Sequence, residues 1–186
     1  MFAAHDAGEC TYAEAGMLVR SLLSAGLDTT VDSIACALVC FARNPDQWDL
    51  VRASPSIARA AFDESIRLES PVQTFFRTAA RSATFGDVEV RDGEKVLMFL
   101  ASANRDPRKW DRPDAFDVTR KTGAHIGFGA GIHRCVGEML SKLEGEILFT
   151  AFTRRVARIE LLDEPTLRFN NTLRGYSRIP LRLHAA

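Results

Sequence analysis

Apolar positions recur at helical spacing from about Ala13 to Arg43, with Leu18, Leu22, Ala25, Val31, Ile34, Leu38 and Phe41 falling near one face. This predicts one long helix. It is apolar over so much of its circumference that it needs neighbours on several sides. The stretch "NPDQW" ends it and starts another, with Asn44 expected as the cap and Pro45 in the first turn. A further helix is expected from about Ser56 to Glu69, stopped by Pro71. The pattern then changes to short β-prone runs broken by Gly86 and by Asp92-Gly93, the latter a strong hairpin signal. "NRDPRKWDRPDAFD" is turn chemistry. "EMLSKLEGEILFTAFTRRV" predicts an amphipathic helix, and "LRFNNTLRGYSRIPLRLH" a final hairpin. The expected class is α+β, mainly helical with small sheets.

Composition narrows the function only a little. The 186 residues contain 24 Lys plus Arg and 24 Asp plus Glu, which gives no basic field for nucleic acid or an anionic membrane surface. The first basic residue, Arg20, follows Asp6, Glu9 and Glu14, the wrong charge order for a signal or transit peptide. The most apolar run, "SIACALVCFA", is ten residues long, too short to span a bilayer, and reads as buried helix. The expectation is a cytoplasmic protein with no nucleic-acid or membrane partner.

Four cysteines, Cys10, Cys36, Cys40 and Cys135, occur without a CxxC pair, so neither a disulfide framework nor a zinc ribbon is expected. Cys36 and Cys40 read as small buried apolar residues. Cys135 differs: it lies in "GFGAGIHRCVGEMLSKLEGE", after three glycines and just ahead of a helix whose unpaired N–H groups favour a thiolate. A phosphatase-type cradle is excluded, because "VGEMLS" follows the cysteine where an anion-binding arginine is needed, and Glu138 would repel phosphate. A Cys–His nucleophile with His133 stays open, although side chains two apart need not face each other. Thiolate ligation of a haem iron also stays open. Gly129, Gly131 and Gly137 would let backbone lie against a flat group there.

Elsewhere, Glu64 and Arg67 sit three apart on a helix and can form a local ion pair. Asp28 and Thr29 stand beside Gly26 among Leu23, Leu27 and Val31, where they read either as a solvated face or as a local opening of the helix at a functional site. Arg134, beside the cysteine, reads equally as a docking contact or a solvated side chain.

"FGAGIHRCVG" fits Phe-x-x-Gly-x-x-x-Cys-x-Gly and resembles the haem-binding loop of the cytochrome P450 family of haem-thiolate monooxygenases. Three more stretches follow in the family's order: "AGLDTT" (25–30), resembling the oxygen-activation segment of its long central helix; "ESIR" (64–67), matching Glu-x-x-Arg; and "NRDPRKWDRPDAFDVTR" (104–120), resembling the stretch before the haem loop.

The resemblance implies haem b held by Cys135 as axial ligand, with O2 as co-substrate. It implies that Phe128, Gly129, Ala25 and Gly26 lie near the haem, with His133 and Arg77 holding its propionates. Thr29 is implied to hydrogen-bond dioxygen and Asp28 to help relay protons. Glu64, Arg67 and Arg120 are implied as a buried structural ion group, and Gln73, Thr74, Phe75 and Leu173 as substrate contacts. Electrons would come from NAD(P)H through a ferredoxin reductase and a ferredoxin. "SPVQTFFR" and "LLSAGLDTT" resemble a branch that oxidatively demethylates para-substituted benzoates. Relatives of this kind are roughly twice as long. The resemblance therefore implies that 1–186 is the carboxy-terminal portion of one monooxygenase domain, carrying the central helix, the Glu-x-x-Arg helix, the haem loop and the helix after it. The alternative expectation is a truncated or split-gene fragment, inactive without an amino-terminal half.

Overall fold

The computed structural model describes residues 1–186. Six helices and eight short strands alternate along the chain: α1 (Phe2–Asp6), α2 (Tyr12–Arg43), α3 (Pro45–Ala53), α4 (Ala58–Glu69), β1 (Thr74–Thr78), β2 (Ala83–Phe85), β3 (Val88–Val90), β4 (Lys95–Phe99), α5 (Leu100–Asn104), α6 (Glu138–Thr153), β5 (Val156–Leu161), β6 (Thr166–Leu167), β7 (Tyr176–Arg178) and β8 (Leu181–Ala185). The strands make four separate antiparallel pairs. This is the expected mainly helical α+β class.

The long helix begins one residue ahead of the expected start. Thr11 and Glu14 form a reciprocal capping box there, a Thr-x-x-Glu signal present in the sequence. Its far end departs from expectation. Asn44 occupies the cap position of α3 but gives it no side-chain bond; the side-chain Nδ2 turns back and donates to the Cys40 carbonyl at 2.8 Å, closing α2 instead. The helix-ending role wins because the last carbonyls of α2 need donors. At the end of α4, Ser70 adopts a left-handed conformation with φ 43°.

Two hairpin expectations are corrected. Of the two glycine turns, only that at Gly86 joins adjacent paired strands, β2 and β3. Asp92-Gly93 leads from β3 into β4, which pairs with β1 in the register Thr74↔Phe99 to Thr78↔Lys95. Gly93 N–H instead donates to the Ala79 carbonyl, closing the outer ladder around the inner hairpin. The tail is likewise not one hairpin. β6 and β7 pair with each other, whereas β8 returns to β5, which lies 20 residues or more upstream, pairing Leu181↔Leu161.

The core lies where α2, α3, α4, α6 and β5 meet. Phe41 is its centre, with ring centroids 5.0 Å from Trp48, 5.4 Å from Phe116 and 5.1 Å from Phe149. Trp48 Nε1 donates to the Val156 carbonyl at 3.3 Å, so this buried indole leaves no donor unpaired. α6 crosses α4 closely because Gly145 faces the Phe62 ring, where any Cβ would collide with the ring carbons.

Cys36 and Cys40 lie inside this core, as their apolar setting suggested. The amino-terminal half of α2 does not. Leu18, Leu22, Leu23, Leu27 and Val31 are all exposed. Taken whole, α2 is long and apolar enough to cross a membrane by length and composition alone, a test that core helices of soluble proteins also pass. Its carboxy-terminal half is nonetheless packed into protein and carries buried Asp32 in an ion pair with Arg168.

Candidate functional site

The cysteine loop is built from backbone first. Gly129 takes φ +74° and Gly131 φ +61°, conformations that side chains with a Cβ rarely adopt. A Cβ on Gly129 would stand 2.9 Å from the His133 carbonyl oxygen, so the loop can fold this tightly only with glycine. Gly131–His133 then forms a single 3₁₀ turn. Cys135 N–H donates to the Phe128 carbonyl at 2.8 Å, closing the loop, and α6 starts three residues later. The thiol is free and exposed, between Ile132 and Val136, which are 97% and 84% exposed. An exposed thiol flanked by apolar side chains and by backbone without bulk suits a flat apolar group carrying a thiolate-binding metal. The residues present therefore fit haem.

Between α4 and the segment that precedes the loop, Glu64, Arg67 and Arg120 meet. Arg67 donates from Nε to Glu64 Oε2 at 2.7 Å and from Nη2 to Oε1 at 2.9 Å; both side chains are fully buried. Arg67 also donates to the carbonyls of Asn104, Pro113 and Ala115, and its guanidinium lies 5.3 Å over the Trp110 ring. Arg120 Nε reaches Glu64 Oε1 at 3.0 Å, and Asp117 N–H reaches the same oxygen at 3.1 Å. Two arginines and one carboxylate thus pin the irregular 104–120 segment, which has little regular structure of its own, to α4.

The other expected site residues are more scattered. Thr29 donates its hydroxyl to the Ala25 carbonyl at 2.8 Å, and α2 runs unbroken past Gly26. The expected local opening of the helix is therefore absent: the threonine is satisfied by back-bonding within its own helix. Asp28 is exposed beside it. Arg77 donates from Nη1 to the Phe76 carbonyl at 2.8 Å and lies 5.7 Å over the Phe75 ring, with no hydrogen bond to exposed His133. Gln73 spends its amide Nε2 on the carbonyls of Glu69 and Ser70, which end α4. Thr74 donates to the Asn171 carbonyl at 3.3 Å, Phe75 is exposed, and Leu173 bridges to Val72. Arg134 is held by Glu138, at 2.8 Å from Nη2 to Oε1, although its own side chain stays largely exposed.

A group that sequence reasoning missed lies directly under the loop. Asp63, the residue before Glu64, accepts from Thr122 Oγ1 at 2.6 Å, His125 Nε2 at 3.0 Å and Lys142 Nζ at 2.8 Å. These partners hold its carboxyl far below the usual carboxylate range against the opposing effect of burial. Nothing in the spacing of Asp63, His125 and Lys142 signals the cluster; it exists only once α4 and α6 pack.

The cytochrome P450 family model matches residues 56–168. The chain is 57% identical over 181 residues to cytochrome P450 CYP199A2 of Rhodopseudomonas palustris, covering 97% of this chain and 44% of that one. It is 38% identical to cytochrome P450 107B1 of Saccharopolyspora erythraea, covering 97% and 45%. Among solved structures, it superposes on the tirandamycin C-bound P450 monooxygenase TamI with a TM-score of 0.92 at 34% identity, covering 98% of this chain and 47% of that one. The chain thus spans somewhat less than half the length of these relatives.

Proposed function

The chain belongs to the cytochrome P450 family of haem-thiolate monooxygenases, and from that premise we propose that residues 1–186 are the carboxy-terminal portion of one such domain, with Cys135 as the haem ligand. The observation that carries the reading is the exposed Cys135 thiol, set on a glycine-built loop, in a chain whose buried Glu64–Arg67–Arg120 group holds the segment before that loop to α4. When bound, haem on a cysteine thiolate supplies dioxygen binding and a ligand electron push that favours O–O cleavage. Haem b is the form proposed.

The chain's own residues do the rest. Cys135 provides the thiolate, and the Phe128 carbonyl holds its N–H. Gly129, Ala25 and Gly26 leave room for the flat face of the group. His133 and Arg77 bind its propionates, Arg77 by releasing the Phe76 carbonyl; its planar fork suits a carboxylate. Thr29 orients dioxygen by turning its hydroxyl from Ala25, and exposed Asp28 passes protons from solvent. Gln73, Thr74, Phe75 and Leu173 border the substrate. The proposed substrate is a small organic molecule of the para-substituted benzoate type, hydroxylated or O-demethylated. The proposed electron route runs from NAD(P)H through a ferredoxin reductase and a ferredoxin. Four free cysteines suit the reducing cytoplasm.

A second reading is favoured by the apolar side chains left in solvent: Leu23, Leu27 and Val31 on α2, Phe99 on β4, and Val136 beside the cysteine. On this reading the chain needs an amino-terminal portion, in the same or another polypeptide, before it holds haem or turns over.

The test is the absorption spectrum of the chain expressed with haem supply, reduced and exposed to carbon monoxide. A red-shifted Soret band of the thiolate type, lost in Cys135→Ala, is expected. A band retained in Cys135→Ala would overturn the ligand assignment. A band gained only when a P450 amino-terminal half is supplied would favour the second reading.

A further inference from the structure

We propose that Asp63 is a positioning residue for the cysteine loop, acting through His125 and Lys142, a role separate from that of its neighbour Glu64. The proposal rests on the reading of Cys135 as the functional thiolate. It starts from the tautomer of His125. Gly127 N–H points at His125 Nδ1 at 3.0 Å, so Nδ1 accepts and the ring proton must be on Nε2. Nε2 lies 3.0 Å from Asp63 Oδ1 and donates to it. The carboxylate thereby fixes which nitrogen accepts, and the accepting nitrogen fixes the backbone at Gly127. Loss of the carboxylate frees the ring to take the other tautomer, which would set an N–H against the Gly127 N–H.

The next residue carries the effect to the cysteine. The Phe128 ring centroid lies 5.8 Å from that of His125, tilted by 55°, and the Lys142 ammonium lies 5.2 Å from the same ring centroid. Lys142 is held there by Asp63 at 2.8 Å and Glu138 at 2.9 Å. One carboxylate on α4 therefore holds both the imidazole and the ammonium beside the Phe128 ring, which also packs against the core. The Phe128 carbonyl in turn accepts Cys135 N–H at 2.8 Å. Asp63 also accepts from Thr122, so it anchors the segment at its start as well as its middle. Glu64 does something different: it binds Arg67, Arg120 and the Asp117 backbone, and makes no hydrogen bond or ion pair with the 125–135 segment.

The experiment is hydrogen exchange on the chain as purified, comparing the unaltered protein with Asp63→Asn and with His125→Phe. The second variant leaves Asp63 paired with Lys142 and Thr122, so it keeps the charge balanced if Asp63→Asn folds poorly. The expected result is exchange faster by about tenfold at residues 125–135, the loss of one charge-assisted hydrogen bond, with residues 36–41 unchanged. Equal acceleration in both segments would make Asp63 a general stability residue and overturn the proposal; no change at 125–135 would also overturn it. With haem supplied, both variants are expected to broaden or shift the carbon monoxide band. Absence of a thiolate band in the unaltered chain would remove the haem reading and leave the exchange result to stand or fall by itself.

Discussion

Arg168 donates from Nη2 to Asp32 Oδ2 at 2.7 Å, tying the β6 hairpin to the middle of α2 across 136 residues of sequence. Asp32 is buried, and burial raises its carboxyl pKa even though Arg168 pulls the other way. The pair thus satisfies a charge that α2 would otherwise bury alone. Arg168→Ala should destabilise the chain by about 2 kcal/mol, the cost of leaving a buried carboxylate without its charged donor. Because the Arg168 side chain is 43% exposed, water replaces part of the lost bond, and the cost stays below that of a fully buried pair. The double change Arg168→Ala with Asp32→Asn should recover part of the loss, which a urea titration of the four proteins in the cycle reads directly.

The Glu64–Arg67 pair should behave differently, since both side chains are fully buried. Arg67 satisfies two carboxylate oxygens and three backbone carbonyls with one planar fork. Lysine has neither the geometry nor the donor count to replace it. Arg67→Lys is therefore expected to cost about 3–5 kcal/mol, close to what Arg67→Ala costs. A circular-dichroism melt in which Arg67→Lys matches the unaltered chain would contradict this account.

Legibility in the sequence follows the range of the interactions. α2, α4 and α6 were readable because their apolar positions repeat at helical spacing. The cysteine loop was readable because glycines crowd around one cysteine. Pairing of the strands was not, because β4 chooses β1 over its sequence neighbour β3 through backbone bonds that no local residue specifies. Asn44 holds the cap position of α3 that the sequence suggested, but its side chain closes α2, since both roles call for the same residue type at the same place. The Asp63 cluster was invisible for a further reason: its members come from α4, the loop and α6, and only packing of the core brings them within 3 Å or so of one carboxylate.

Cys135 should separate from the two core thiols, with half-buried Cys10 apart from both. Cys135 is exposed, while Cys36 and Cys40 are buried in the core, where burial pushes the Cys36 thiol up to about 12 and Cys40 well above its ordinary value. A thiolate-selective alkylating reagent at neutral pH is expected to label Cys135 quickly, and Cys36 and Cys40 only when the chain unfolds. Peptide mapping of the labelled cysteines checks this. Early labelling of Cys36 would mean that α2 does not pack as described.

Acid should weaken the carboxylate contacts that hold the cysteine loop. The bond from Arg134 is the first cause that holds the Glu138 carboxyl down, to about 2 from an ordinary 4.5, with Lys142 assisting against burial. Asp63 is held lower still by His125, Lys142 and Thr122. A carboxylate whose folded value is depressed contributes stability that is complete above its unfolded value and is lost as pH falls through the folded one. For Glu138 that window runs from about 4.5 down to about 2, and for Asp63 it extends further into acid. Arg134→Ala removes the leading cause for Glu138 while leaving Lys142 in place. Its stability-versus-pH curve should therefore be shallower than that of the unaltered chain between about pH 4.5 and 2 and match it in shape above pH 6. Urea midpoints taken across that range decide the matter. Parallel curves would mean that Arg134, mostly in solvent, holds Glu138 too weakly to matter.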